Sequence, residues 1–183
     1  MRAPTRLGAA LALAIALALG ALLSGCGANP ERTTSVEEGE GMQLGDLLYN
    51  VQITRFLNPK DDEDKAYLAG QPPLPNNLYY LGVFMQIQNK GDTAQRIPSD
   101  FTIVDTAGTT FKPVPTKSLF ALGLGTNVPA DGVVPPPEST AANGPIQGSM
   151  VLFRVDDQAI EDRPLILHIP SSTSPAGEVE LDV

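Results

Sequence analysis

Tryptophan is absent from the 183 residues, and cysteine and histidine occur once each, as Cys26 and His168. A lone cysteine excludes an intrachain disulfide, so stability has to come from a packed core. Zinc sites need clusters of His and Cys, which this composition does not supply. A copper set drawn from Met42, Met85, Met150 and His168 has the right softness but no close spacing. A Ser-His-Asp or Cys-His arrangement would have to pass through His168, and there is no Gly-x-Ser-x-Gly elbow to expose a serine. His168 is read as a surface or edge-strand residue. Without tryptophan, the four tyrosines and six phenylalanines are few from which to build a sugar platform. No catalytic, cofactor-binding or metal-ligating residue is assigned, no enzymatic activity is expected, and no cofactor is expected.

Basic charge is also scarce, with 12 Lys and Arg against 21 Asp and Glu. A nucleic-acid partner, which needs a basic surface, is excluded on this ground, as is adhesion to anionic headgroups through protein charge.

What is present begins at the N-terminus. Arg2 and Arg6 form a positive region, Leu7 to Leu23 an uncharged Ala/Leu-rich run, and Leu23-Ser24-Gly25-Cys26 a small-residue segment ending in the only cysteine. The segment resembles the lipobox of bacterial lipoproteins. That resemblance implies cleavage before Cys26, acylation of its thiol, and a mature chain held on the extracytoplasmic side of the bacterial cell membrane. Two other readings stand beside it: a spanning anchor that is retained, and a plain secretory signal. The 17-residue run is short of the roughly 20 that a spanning helix needs, and no Lys/Arg cluster follows it. One acyl chain holds a membrane only marginally, so a diacylglyceryl group is the anchor the resemblance implies. Residues 1–25 are thus expected to be a signal peptide. Their removal takes away Arg2 and Arg6, leaving ten basic residues against 21 acidic ones, a charge of about −11.

Residues 26–43 are polar and acidic without hydrophobic periodicity, and they read as a lipid-anchored flexible tether. From Leu44 to Val183 the chain becomes a string of alternating segments. Leu47, Tyr49, Val51 and Ile53 share one face, and Leu78–Asn89 is the strongest strand, with Tyr79, Leu81, Val83, Met85 and Ile87 on one side. Its other side grades from Tyr80 and Phe84 to Gln86 and Gln88. The Asn89-Lys90-Gly91-Asp92 sequence predicts a turn in which Gly91 takes a positive φ. Further strands are expected around Phe101 and Ile103, at Ile146–Val155, at Pro164–Ile169 and at Glu178–Val183. Ile146–Val155, apolar on both faces, is expected to be central, and only Asp156–Asp162 reads as helical. Short strands punctuated by 17 glycines and 17 prolines predict an all-β sandwich of about seven strands.

The Val83–Asp92 strand and turn, Phe101–Gly108 and Gly148–Phe153 carry a second resemblance. From about Leu44 onward the chain is similar to the telokin-like, immunoglobulin-like β-sandwich domain of secreted and lipid-anchored bacterial proteins. The matched residues are folding signals, so the resemblance implies architecture and almost no activity.

Two segments remain as candidate sites. Asp61-Asp62-Glu63-Asp64 is the best candidate for a hard cation, but it lacks the glycine and closing glutamate of an EF-hand, and consecutive carboxylates diverge. A solvated loop is the simpler reading. Lys112–Pro145 is a long insertion with seven prolines around an apolar stretch containing Leu119, Phe120, Leu122 and Leu124. Connections longer than about 12–15 residues are commonly functional. Exposed, these four side chains would attract a partner; folded over an open end of the sandwich, they are core. The resulting expectation is a lipid-anchored extracytoplasmic interaction module whose partners are the membrane, through Cys26, and another envelope protein. The alternatives are a small-ligand or metal carrier, or an envelope hydrolase using scattered carboxylates.

Overall fold

The computed structural model describes residues 35–172 and 175–183. Residues 1–34, which include the expected signal peptide, Cys26 and most of the expected tether, lie outside them. Twelve strands are described, more than the seven expected, because several are only two or three residues long.

One sheet contains β1 (Ser35–Glu37), β12 (Gly177–Leu181), β11 (Leu165–Ile169), β6 (Thr102–Val104) and β7 (Thr110–Phe111), in that order. The second runs β10 (Ser149–Asp156), β4 (Leu78–Asn89), β3 (Leu47–Leu57) and β2 (Gly41–Leu44). β9 (Val133–Val134) pairs with the far end of β4, and β5 (Gln95–Arg96) pairs with β8 (Asn127–Val128) in a separate ribbon. Alternation along each strand turns Tyr49, Val51, Leu81, Val83, Met85 and Phe153 of the second sheet toward Ile103, Leu167, Val179 and Leu181 of the first, forming one core. The molecule is an all-β sandwich, as its sequence pattern predicts.

Four details depart from that pattern. First, the sandwich begins before Leu44. β1 pairs in parallel with β12, and Met42 of β2 is buried in the core, so residues 35–43, which composition groups with the expected tether, belong to the sandwich. A three-residue and a four-residue strand are too short to show periodicity amid acidic neighbours.

Second, the register of β3 against β4 shifts between Val51 and Ile53. The extra residue, Gln52, reverses the facing of the next two positions: Thr54 is buried and Ile53 is 40% exposed. Third, Ile146–Val155 is not central. Its strand β10 lies at the sheet edge, and residues 113–122 cover that edge, with the Val114 and Leu122 amides donating to the Leu152 and Met150 carbonyls. Fourth, Gly91 does not take a positive φ. It is needed for close approach, since a Cβ there would lie 2.7 Å from Asp46 Oδ2.

The outer face of the second sheet carries another layer. Tyr67, Leu68 and Phe120 pack over Leu57, Tyr80, Phe84, Met150 and Leu152 as a second apolar cluster. Tyr67 sits edge-on to Phe84 at 5.2 Å between ring centroids and 4.5 Å from Phe120. The proline-rich insertion is therefore folded structure. Beyond the helix expected near Asp156, observed at Asp157–Glu161, the layer contains a four-residue helix, Thr140–Asn143, whose first turn Ser139 caps by accepting from the Ala142 amide.

Candidate functional site

The four candidate contact residues do not act together. Phe120 and Leu122 are each 6% exposed and belong to the two apolar clusters, so their assignment as partner contacts is corrected: they are core. Leu124 is partly buried against the sandwich core. Leu119 alone is free, at 79% exposure. The backbone explains the division. Met150 donates to the Phe120 carbonyl and Leu122 donates back to the Met150 carbonyl, so the chain bridges onto β10 on either side of Ala121. Phe120 joins the second apolar cluster and Leu122 the sandwich core, while Leu119 sits in the preceding turn. The sequence groups the four because a bridge made by one residue leaves no periodicity.

Leu119 borders a cleft of about 580 Å³. Its opposite wall is the ridge Val133–Pro137, which is held to the sandwich because β9 pairs Val134 with Ile87 and Val133 with Gln88. Pro135, Pro136 and Pro137 then stiffen the ridge. Asp131 is the only ionisable residue lining this cleft. Such a site offers apolar contact from Leu119, Val133, Val134 and the prolines, together with the Asp131 carboxylate and the hydroxyls of Thr126, Ser139 and Ser149.

A second cleft of similar volume lies at one end of the sandwich, where Asp46, Arg96 and Asp100 line it over the buried Tyr49. Burial pushes the Tyr49 phenol well above its ordinary pKa, which keeps it protonated.

The acidic run is only partly the solvated loop that sequence suggests. Asp64 is buried: its Oδ1 accepts from Arg55 Nη2 at 2.5 Å and its Oδ2 from the Asn58 amide at 2.8 Å. Both oxygens are thus committed to holding the loop. No group of three or more His, Cys, Asp or Glu side chains among the described residues is placed to hold a metal ion. Met42 and Met85 lie in the sandwich core and Met150 in the second cluster. His168 lies on the half-buried outer side of β11, opposite Glu178, with its Nδ1 3.6 Å from Glu178 Oε1.

No family model matches the chain, and no curated protein sequence matches it. Among solved structures it is similar to an uncharacterised β-sandwich protein from Clostridium difficile, at 12% identity and a TM-score of 0.50, over 82% of this chain and 95% of that one. It also overlaps a secreted Mycobacterium tuberculosis protein, MPT63, at 10% identity and a TM-score of 0.48, over 80% of this chain and 95% of that one. A Bacillus subtilis chain described as a candidate lipoprotein, ycdA, matches at 12% identity and a TM-score of 0.47, over 78% of this chain and 38% of that one. At these identities the Clostridium match shows a shared β-sandwich fold and nothing of activity.

Proposed function

We propose that this chain is a lipid-anchored, extracytoplasmic interaction module of the bacterial cell envelope, acting by binding rather than by catalysis. The observation that carries the reading is the placement of the only cysteine at the end of Leu23-Ser24-Gly25-Cys26, directly after the apolar run. With the sandwich starting at Ser35, only residues 27–34 separate Cys26 from the first strand. Fully extended, eight residues reach at most about 30 Å, so the module works close to the membrane. The contact residue is Leu119, whose large exposed apolar side chain lines the same cleft as the ridge Val133–Pro137. Its partner is another protein of the envelope that inserts an apolar side chain between them.

A fatty-acid analogue fed to cells is expected to label the wild-type protein and not Cys26→Ala. Label persisting in Cys26→Ala would reject the anchor. A photo-crosslinking residue at position 119 is expected to capture a protein partner in intact cells, whereas the same residue at Glu180, on the outer side of the other sheet, captures none. Equal capture at both positions would reject Leu119 as the contact.

A further inference from the structure

We propose that the cleft of about 580 Å³ at the end of the sandwich, lined by Tyr49, Asp46, Arg96 and Asp100, is a binding site for a small zwitterion, a primary ammonium joined to an oxyanion as in phosphoethanolamine. Its volume is within the range of small-ligand sites. Tyr49 is the observation that points to a ligand. Its ring stands edge-on to Phe101 at 6.4 Å between centroids and the residue is 2% exposed, yet its hydroxyl forms no hydrogen bond with a described residue. Buried polar atoms ordinarily have partners. Among the described residues, the side-chain atoms sealed from solvent without one are Thr54 Oγ1 and Asp105 Oδ2, so the Tyr49 hydroxyl is not sealed: it reaches the cleft that Tyr49 lines. Burial keeps the phenol protonated, and it is a hydrogen-bond donor with nothing of the protein to donate to.

Charge selects the ligand class. Asp46, Arg96 and Asp100 line the same cleft, and no two of them form an ion pair. Asp46 accepts from Gln95 Nε2 at 2.9 Å through Oδ2, which leaves Oδ1 free. Asp100 is exposed and accepts no hydrogen bond from the described residues. The Arg96 guanidinium lies against Gly125, where a Cβ would be 3.2 Å from Nη2, and it too is unpaired among the described residues. Opposite charges that line one cleft without meeting are complementary to a molecule that carries both signs. An ammonium suits the two carboxylates, and an oxyanion suits the guanidinium and the phenol. The net charge agrees: at −9 the chain repels a simple anion, whereas a zwitterion arrives without that cost.

Two sources supply this chemistry, a free molecule and the headgroup of a zwitterionic lipid. The topology brings the second within reach. Pro170, Ser171 and Ser172 of the cleft follow β11, whose last residue, Ile169, pairs with Gly177 at the start of β12, and Ser35 of β1 pairs with the next residue, Glu178. The chain therefore enters the sandwich at the end that holds the cleft. The headgroup source, unlike the site itself, rests on the lipid anchor proposed above.

Calorimetric titration of residues 27–183 tests the site apart from the anchor, since the sandwich core is drawn entirely from Val36 to Val183. Phosphoethanolamine is expected to bind, and phosphocholine, whose methylated ammonium donates no hydrogen bond, to bind about tenfold more weakly or worse. Asp100→Asn and Arg96→Gln should each weaken phosphoethanolamine about tenfold. Tyr49→Phe removes only the hydroxyl and should weaken binding about fivefold with the melting temperature unchanged, because no internal hydrogen bond is lost. Sedimentation with phosphatidylcholine vesicles, with and without phosphatidylethanolamine, separates the sources. Binding to the free molecule alone assigns a soluble ligand, and added retention on the phosphatidylethanolamine vesicles assigns the headgroup. Binding to neither, equal binding of phosphocholine, or affinity indifferent to both Asp100→Asn and Arg96→Gln would overturn the site. The anchor is untouched by any of these results, because it is read separately from the fatty-acid label on Cys26.

Discussion

Phe120→Ala is expected to lower the melting temperature by about 10–15 °C, and Leu119→Ser to leave it within about 2 °C. Adjacent residues in one turn thus differ by several kcal/mol. The Phe120 ring is enclosed by Tyr67 and the rest of the second cluster, and truncation of a buried Phe costs about 3–5 kcal/mol, each kcal/mol moving the transition of a domain this size by roughly 3 °C. Leu119 loses little, because at 79% exposure it buries little area. Gly144→Val is expected to act in the same direction as Phe120→Ala, since a Cβ at Gly144 would lie 2.5 Å from the Phe120 ring. Thermal unfolding followed by circular dichroism measures all three. A large drop for Leu119→Ser, or none for Phe120→Ala, would show that the insertion packs differently from this description.

The same contrast shows how much of the fold is visible in sequence alone. The β4 pattern already holds the plan of the outer layer: its second face changes from Tyr80 and Phe84 to Gln86 and Gln88, and the cover ends at that change. Apolar residues on both sides of β10 likewise mark a strand buried on both faces, though not its position in the sheet. Periodicity reports which side of a strand meets apolar matter. It does not report which strand lies alongside. For the same reason the bulge at Gln52 is hidden, because one inserted residue reverses the facing of Ile53 and Thr54 without changing their composition. The early strands β1 and β2 are hidden by their length, and the isolation of Leu119 by a bridge only one residue long. Asp64 carries no signal at all, since its burial depends on Arg55 reaching it from the neighbouring strand.

Asn89→Leu is expected to cost about 3–5 kcal/mol and to lower the melting temperature by about 10 °C or more, although the side chain keeps its size. Asn89 ends β4 fully buried, and its Nδ2 donates to the carbonyls of Thr93, Val128 and Pro129 at 2.7, 3.1 and 2.9 Å. Its Oδ1 accepts from the Gly91 amide at 2.9 Å. One amide thus satisfies the turn after β4 and the stretch that leads from β8 toward the ridge. An isosteric Leu leaves these groups without partners, at about 1–3 kcal/mol for each that water does not reach. Asn89→Asp is expected to be no milder at neutral pH, because it keeps the acceptor for Gly91 but sets a carboxylate oxygen where three carbonyls require a donor. The consequence extends to the cleft beside Leu119. The Asn89 backbone amide also donates to the Gly132 carbonyl, immediately before Val133, so a loosened junction frees the ridge that lines this cleft. Chemical denaturation gives the energy, and photo-crosslinking from position 119 in the Asn89→Leu background gives the coupling. Asn89→Leu within about 1 kcal/mol of the wild type would mean that the carbonyls find water and that the ridge is held by β9 alone.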